Sequence, residues 1–275
     1  MEFILAKTAG FCWGVRLALN KTLEVEASQY QKVTTLGPLV HNPQVVDLLR
    51  HREIHNAGAI QEIDGGLAII RSHGVSPADY AELERRSDAI LDNTCPIVKR
   101  SQKVVQTYVK KGHFVVIYGE PRHAEVIGLI GFAGADNVRI IEGAHELDKI
   151  PADRNVLLIT QTTTNVAEWQ RIMKEARERF PSVVVKDTMC DATVERQDEI
   201  LELCRSVDAM VVIGGKNSGT RRASRKSPPR NSASPRGTSK PKTNSRAWIS
   251  RRTAGSASPR ARARPRGAST ASWRI

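Results

Sequence analysis

The chain has 275 residues, 40% of them hydrophobic, enough for one large or two to three small domains with a sizeable core. No run approaches the ~18 apolar residues of a membrane span, and Met1-Glu2-Phe3-Ile4 lacks the basic start and long apolar stretch of a secretory signal. The net charge of +13 hides two unlike pieces. Of the 42 Lys and Arg, 16 lie in 221–275, where no acid occurs; residues 1–220 carry 26 basic against 29 acidic residues, a net of −3. The overall charge is therefore no argument for nucleic-acid binding.

In chain order, Phe3-Ile4-Leu5-Ala6 predicts a short strand that turns into a helix from Val15. Cys12 stands at that turn between Gly10 and Gly14. Val33 to Leu36 predicts a strand, and a helix follows His41-Asn42-Pro43. Leu67 to Arg71 is a predicted strand, with a helix from Pro77 to Arg85 and proline near its first turn. Ala89 to Leu91 is a short strand leading through Asp92-Asn93-Thr94 to Cys95-Pro96 and a long helix to about Lys111. Phe114 to Tyr118 is a buried strand, and His123 to Phe132 a helix. Strands at Val138 to Ile141 and Val156 to Thr160 precede a helix from Val166 to Phe180, ended by Pro181. Val183 to Val185 is a strand before the loop that holds Cys190. A helix from about Val194 to Cys204 and a strand from Met210 to Gly214 complete the pattern. Such βα alternation predicts an α/β fold with mainly parallel strands, whose sites lie in the loops after the strands.

From Thr220 the composition turns to Arg, Ser, Pro, Ala and Gly, and the expected helix is not legible. Such a segment cannot offset its chain entropy by burial and is expected to be disordered. A GC-rich gene read out of frame yields this kind of text, so a frameshift near codon 220 is the favoured explanation. A basic nucleic-acid-binding arm is the alternative.

Four cysteines lie far apart: Cys12, Cys95, Cys190 and Cys204. Their scatter in a long chain speaks against a disulfide scaffold and for a cytoplasmic location. Cys204 falls on an apolar helical stripe with Ile200 and Leu201 and is expected in the core. The other three follow predicted strands and precede helices. His41, His73, His123, Glu125, Thr162 and Ser218 likewise stand just after predicted strands. Structural zinc wants four ligands with close pairs, and no close pair exists. Three isolated thiolates suit an iron–sulfur cluster with one iron left open to a substrate. The histidines and hydroxyls suit a phosphate, and Glu125 suits proton delivery.

Eight motifs in order carry a resemblance: Gly10-Phe11-Cys12-Trp13-Gly14-Val15, Gly37-Pro38-Leu39-Val40-His41-Asn42, Arg71-Ser72-His73-Gly74-Val75, Asp92-Asn93-Thr94-Cys95-Pro96, His123-Ala124-Glu125, Thr160-Gln161-Thr162-Thr163, Cys190-Asp191-Ala192-Thr193-Val194-Glu195-Arg196-Gln197 and Gly214-Gly215-Lys216-Asn217-Ser218-Gly219. Over residues 1–219 the chain resembles the 4-hydroxy-3-methylbut-2-enyl diphosphate reductase family of non-mevalonate isoprenoid biosynthesis. The resemblance implies three α/β modules in a trefoil-like arrangement around a 4Fe-4S cluster, here 1–95, 96–190 and a truncated 191–219, with 220–275 as a basic tail. It implies Cys12, Cys95 and Cys190 as cluster ligands and Glu125 as proton donor. Thr162 would position the substrate hydroxyl, His41, His73 and Ser218 would bind the diphosphate, and His123 would line the same pocket. Reduced ferredoxin or flavodoxin would supply electrons, and neither nucleic acid nor membrane is an expected partner. Thr220 stands where the family has a diphosphate-binding asparagine. Gly267-Ala268-Ser269-Thr270 echoes a later family motif, and Ser269 is not assigned to the site. An inactive frameshifted member of the family remains the alternative, with a basic-tailed nucleic-acid binder or a zinc protein more remote.

Overall fold

The computed structural model describes residues 2–151, 153–215, 218–226 and 249–250. Two four-stranded, wholly parallel sheets organise it. In the first, β1 (Val33–Leu36) lies between β2 (Ile54–Ala57) and β3 (Leu67–Ile70), and β3 pairs with β4 (Ala89–Asp92). In the second, β5 (Phe114–Tyr118) lies between β6 (Val138–Ile141) and β7 (Val156–Thr160), and β7 pairs with β8 (Val184–Val185). The two sheets repeat one strand order, which is the α/β parallel architecture read from the sequence.

The inner strands β3 and β5 are apolar runs because both their faces are covered. Along β5, Phe114, Val116 and Tyr118 enter one core cluster while Val115 and Ile117 enter another across the sheet. Likewise on β3, Leu67 and Ile69 face one cluster and Ala68 and Ile70 the opposite one. Helices α1 (Trp13–Leu23), α2 (Pro43–Arg50), α3 (Pro77–Arg86), α4 (Pro96–Lys110), α5 (Ala124–Ala133), α6 (Val166–Arg179) and α7 (Asp191–Leu203) connect the strands. Ordinary capping starts several of them. Asn42 accepts from Gln44 N–H before α2, Ser76 from Asp79 N–H before α3, and Asn165 from Glu168 N–H before α6, each satisfying an otherwise orphaned donor.

Several expectations are corrected. Phe3 to Ala6 forms no strand, and Phe3 and Leu5 are exposed, so the run does not bury the apolar face its pattern predicts. The strand expected at Met210 to Gly214 shrinks to β9 (Ala209–Met210), which pairs antiparallel with Ile249–Ser250 (β10). β2 is not legible in the sequence, since only its end residues are apolar and only they are buried. α7 begins at Asp191, three residues before the predicted start, directly after Cys190. Cys204 follows the end of α7, half-buried beside an exposed Leu201, and is not a core residue. A helix does follow Gly214: α8 (Gly219–Lys226). The disorder and frameshift readings of the tail, and Ser269, fall on residues outside those described, apart from this helix and Ile249–Ser250.

Candidate active site

Three cysteines occupy one structural position. Cys12, Cys95 and Cys190 are the N-cap residues of α1, α4 and α7, and none makes a capping hydrogen bond with its side chain. All three are half-buried free thiols. They converge although they are distant in sequence. Burial pushes the Cys190 thiol up, the N–H groups of Ala192 and Thr193 pull it down, and Cys12 and Cys95 push it up again. Cys95 is raised by burial, lowered by the N–H groups of Ile97 and Val98, and raised by Cys12 and Glu125. Gly14 lies so close that a Cβ there would sit 2.6 Å from Cys95 Sγ. Helix N-termini favour thiolates over thiols, through free N–H groups and the helix dipole. Three half-buried thiols, uncapped and in mutual electrostatic reach, are a donor set that fits a soft metal centre of three protein ligands.

Beside them lies Glu125, in the first turn of α5 and 1% exposed. Thr162 N–H donates to its Oε1 and the Thr162 hydroxyl to its Oε2, each at 2.7 Å. Burial pushes the Glu125 pKa up to about 7, although both Thr162 bonds pull the other way. The protonated carboxyl is therefore populated near neutral pH. Thr162 is fixed in turn, because Cys190 N–H donates to its carbonyl oxygen at 3.1 Å. The loops after β5 and β7 and the start of α7 thus meet at one point.

Three histidines form the next layer. The ring centroids of His41 and His73 are 4.7 Å apart, His73 and His123 5.2 Å, and His41 and His123 5.9 Å. Burial and neighbouring positive charge depress all three. His123 falls to about 4 through burial, His41, Arg222 and Arg71. His73 falls well below its ordinary value through burial, His123, His41 and Arg71, and His41 is lowered by burial and by Arg71 and Arg222, against Glu120. Glu125 N–H donates to His123 Nδ1 at 3.2 Å, so the neutral His123 ring carries its proton on Nε2. The Nδ1 of His73 is buried without a partner. Neutral rings with free N–H groups, set among arginines, suit a polyanion such as a phosphate.

The segment after β9 closes over this layer. A Cβ on Gly215 would lie 2.0 Å from the His41 carbonyl oxygen, and one on Gly219 would lie 2.5 Å from Thr163 Oγ1. Ser218 sits between these two contacts, and its Oγ accepts from Arg221 N–H at 3.3 Å, capping α8. All nine residues singled out from the sequence therefore belong to one region. Sequence reasoning missed two cations in it. Arg71 is the charged residue after the fully buried β3; its Nε is buried and unpartnered, and it packs on Gly37, where a Cβ would lie 2.1 Å from its Nη1. Arg222 on α8 forms a two-bond ion pair with Glu120. Arg71 could have been noticed as an arginine closing an apolar strand, whereas nothing local marks Arg222.

Comparison with known proteins agrees with this arrangement. A family profile described as "LytB protein" matches residues 3–226, seven residues beyond the resemblance read from the motifs. A 4-hydroxy-3-methylbut-2-enyl diphosphate reductase of Pelobacter propionicus is 38% identical over 222 residues, covering 81% of this chain and 79% of that protein. The Anaeromyxobacter sp. (strain Fw109-5) protein of the same name is 38% identical, with coverage of 81% and 78%. A solved structure of (E)-4-hydroxy-3-methyl-but-2-enyl diphosphate reductase, described as the terminal enzyme of the non-mevalonate pathway, superposes with a TM-score of 0.64 at 34% identity, covering 82% of this chain and 84% of that one. The Plasmodium falciparum E-1-hydroxy-2-methyl-but-2-enyl-4-diphosphate reductase shares the fold, with a TM-score of 0.75 at 24% identity over 82% of this chain and 73% of that one. With its motifs in order, its parallel sheets and this match over most of its length, the chain belongs to the LytB family of reductases.

Proposed function

We propose that the protein reduces 4-hydroxy-3-methylbut-2-enyl diphosphate, taking up two electrons and two protons and releasing the allylic hydroxyl as water to give isopentenyl and dimethylallyl diphosphates. The observation that carries the reading is Glu125, a buried carboxyl poised at about 7 beside the cysteines. Cys12, Cys95 and Cys190 would hold a 4Fe-4S cluster, and that group, when bound, supplies the electrons and a Lewis-acidic iron for the hydroxyl.

The chain's own residues do the rest. Nε2–H of His123, with His41, His73 and Ser218, would donate to diphosphate oxygens, and Arg71 and Arg222 surround them with positive charge. This anchors the anionic end and leaves the hydroxyl end toward Glu125. When Glu125 is protonated, its 2.7 Å bond with the Thr162 hydroxyl reverses, Oε2–H donating to Oγ1; the hydroxyl takes that proton as it gives its own to the leaving group, so a hydroxyl leaving beside it departs as water rather than hydroxide.

The division into 1–95, 96–190 and 191–219 is part of this proposal, and the two repeated sheets support its first two modules. Ferredoxin or flavodoxin as donor, a cytoplasmic location and the absence of a nucleic-acid partner are proposed with it. Free cysteines and the net of −3 in 1–220 support the last two. Among the described residues no helix is long and apolar enough to cross a membrane. Anaerobic reconstitution followed by iron and sulfide assay and dithionite-driven turnover tests the reading. Bound cluster with turnover is expected. Cluster without turnover would mark an inactive family member, and zinc in place of iron would overturn the reading.

A further inference from the structure

Cys12 sits at the end of a stretch with no regular structure. Residues 2–12 form neither helix nor strand; their backbone makes one turn bond, Ala9 N–H to the Ala6 carbonyl oxygen at 3.1 Å, and the Cys12 carbonyl oxygen accepts from Arg16 N–H at 3.0 Å. Side chains from α7 add to these two bonds. The Glu199 carboxylate accepts from the N–H groups of Lys7 and Thr8, the latter at 2.8 Å, and from the Thr8 hydroxyl. Three residues earlier on the same helix face, the Arg196 guanidinium donates to the carbonyl oxygens of Thr8 at 3.2 Å and Gly10 at 2.9 Å. One residue supplies the acceptors and the other the donors, so the backbone of Lys7 to Gly10 is held from both sides by charge-assisted bonds. At Gly10 the φ is +101°, which turns the chain from this grip toward Cys12. From α1, Arg16 Nε then donates to the Phe11 carbonyl oxygen at 3.0 Å.

The gripping helix is the one that begins at Cys190. Gln197, between Arg196 and Glu199, accepts from Val166 N–H at 2.9 Å and donates to the Thr164 carbonyl oxygen at 2.8 Å, fixing the loop that carries Thr162. We propose that Arg196 and Glu199 are positioning residues that set the Cys12 thiol against Cys190 for cluster binding, so that α7 places two of the three ligands. This rests on the reading that the three cysteines hold the cluster.

The test uses the full chain and two readouts. In the reduced, metal-free protein, alkylation by iodoacetamide is followed at each cysteine by mass spectrometry. Glu199→Gln and Arg196→Gln are expected to speed labelling of Cys12 by about tenfold and to leave Cys95 and Cys190 unchanged, with Glu202→Gln on the same helix as control. In the reconstituted protein, both variants are expected to release iron to a chelator roughly 10- to 100-fold faster, the usual cost of losing a ligand-orienting partner. Unchanged labelling of Cys12, or equal acceleration at all three cysteines, would overturn the proposal. Should Glu199→Gln fail to fold, Thr8→Ala removes only the hydroxyl bond and is expected to shift Cys12 labelling in the same direction. A wild-type chain that takes up no iron would defeat the cluster reading itself, and the labelling pattern would still decide whether α7 holds the loop.

Discussion

Glu125 and His123 are two residues apart and are shifted in opposite senses by one cause, their burial. The Glu125 pKa stands at about 7 against 4.5 for an unperturbed carboxyl. The folded chain therefore binds more protons than the unfolded one between those values, and this group makes stability fall as pH rises through that window. His123 stands at about 4 against 6.5, so its contribution is lost as pH falls below the unfolded value. The two slopes oppose one another in the wild type. Glu125→Gln should unmask the histidines. In the metal-free chain, its stability relative to wild type should rise by about 3 kcal/mol from pH 4.5 to pH 7, because a tenfold change in proton affinity is worth about 1.36 kcal/mol. Urea denaturation of both chains at several pH values measures this, and parallel curves would show that Glu125 is not buried as described. With cluster bound, the same substitution should lower turnover by roughly 10²–10⁴-fold, as loss of a general acid does, while iron content stays at the wild-type level. The identities of these residues are legible in the sequence because their motifs are local. Their altered proton affinities are not, since burial is a property of the packed neighbours.

Helices α1, α4 and α7 repeat one device: a strand or loop ends, a cysteine takes the N-cap, and the first turn leaves its thiol uncapped. The device needs close approach of neighbouring elements, and Gly14 allows it between α1 and Cys95. Inside a helix, Gly→Ala ordinarily gains ~1 kcal/mol. At Gly14 the new Cβ would meet Cys95 Sγ at 2.6 Å, so the thiol must turn aside or α1 must shift, and such overpacking costs about 1–3 kcal/mol. Gly14→Ala is therefore expected to keep its circular dichroism spectrum and to lose iron on reconstitution; full iron occupancy would show that α1 and α4 are looser than described. Most elements are legible because buried strands and capped amphipathic helices announce themselves in a short window. The edge strand β2 is not, because it has only two inward apolar residues. Phe3 to Ala6 misleads for the converse reason: an apolar run alone does not make a strand.

Across the whole molecule, the core clusters described draw on residues between Phe11 and Val194. Two parallel sheets hold them, and the segment from Ala209 to Lys226 adds the Ser218 loop and α8 over the histidines. Val211 and Ile213 in that segment are exposed, as are Phe3 and Leu5. The sequence by itself determined the α/β class and the family, and it singled out nine residues that the fold brings into one region, because hydrophobic period and short motifs are written within a few adjacent positions. Only the tertiary structure decided that three N-cap thiols converge, that Arg71 and Arg222 stand over the histidines, and that Arg196 and Glu199 reach back to the loop before Cys12. Those contacts join residues far apart in the chain, and distance in sequence carries no signal until packing brings them together.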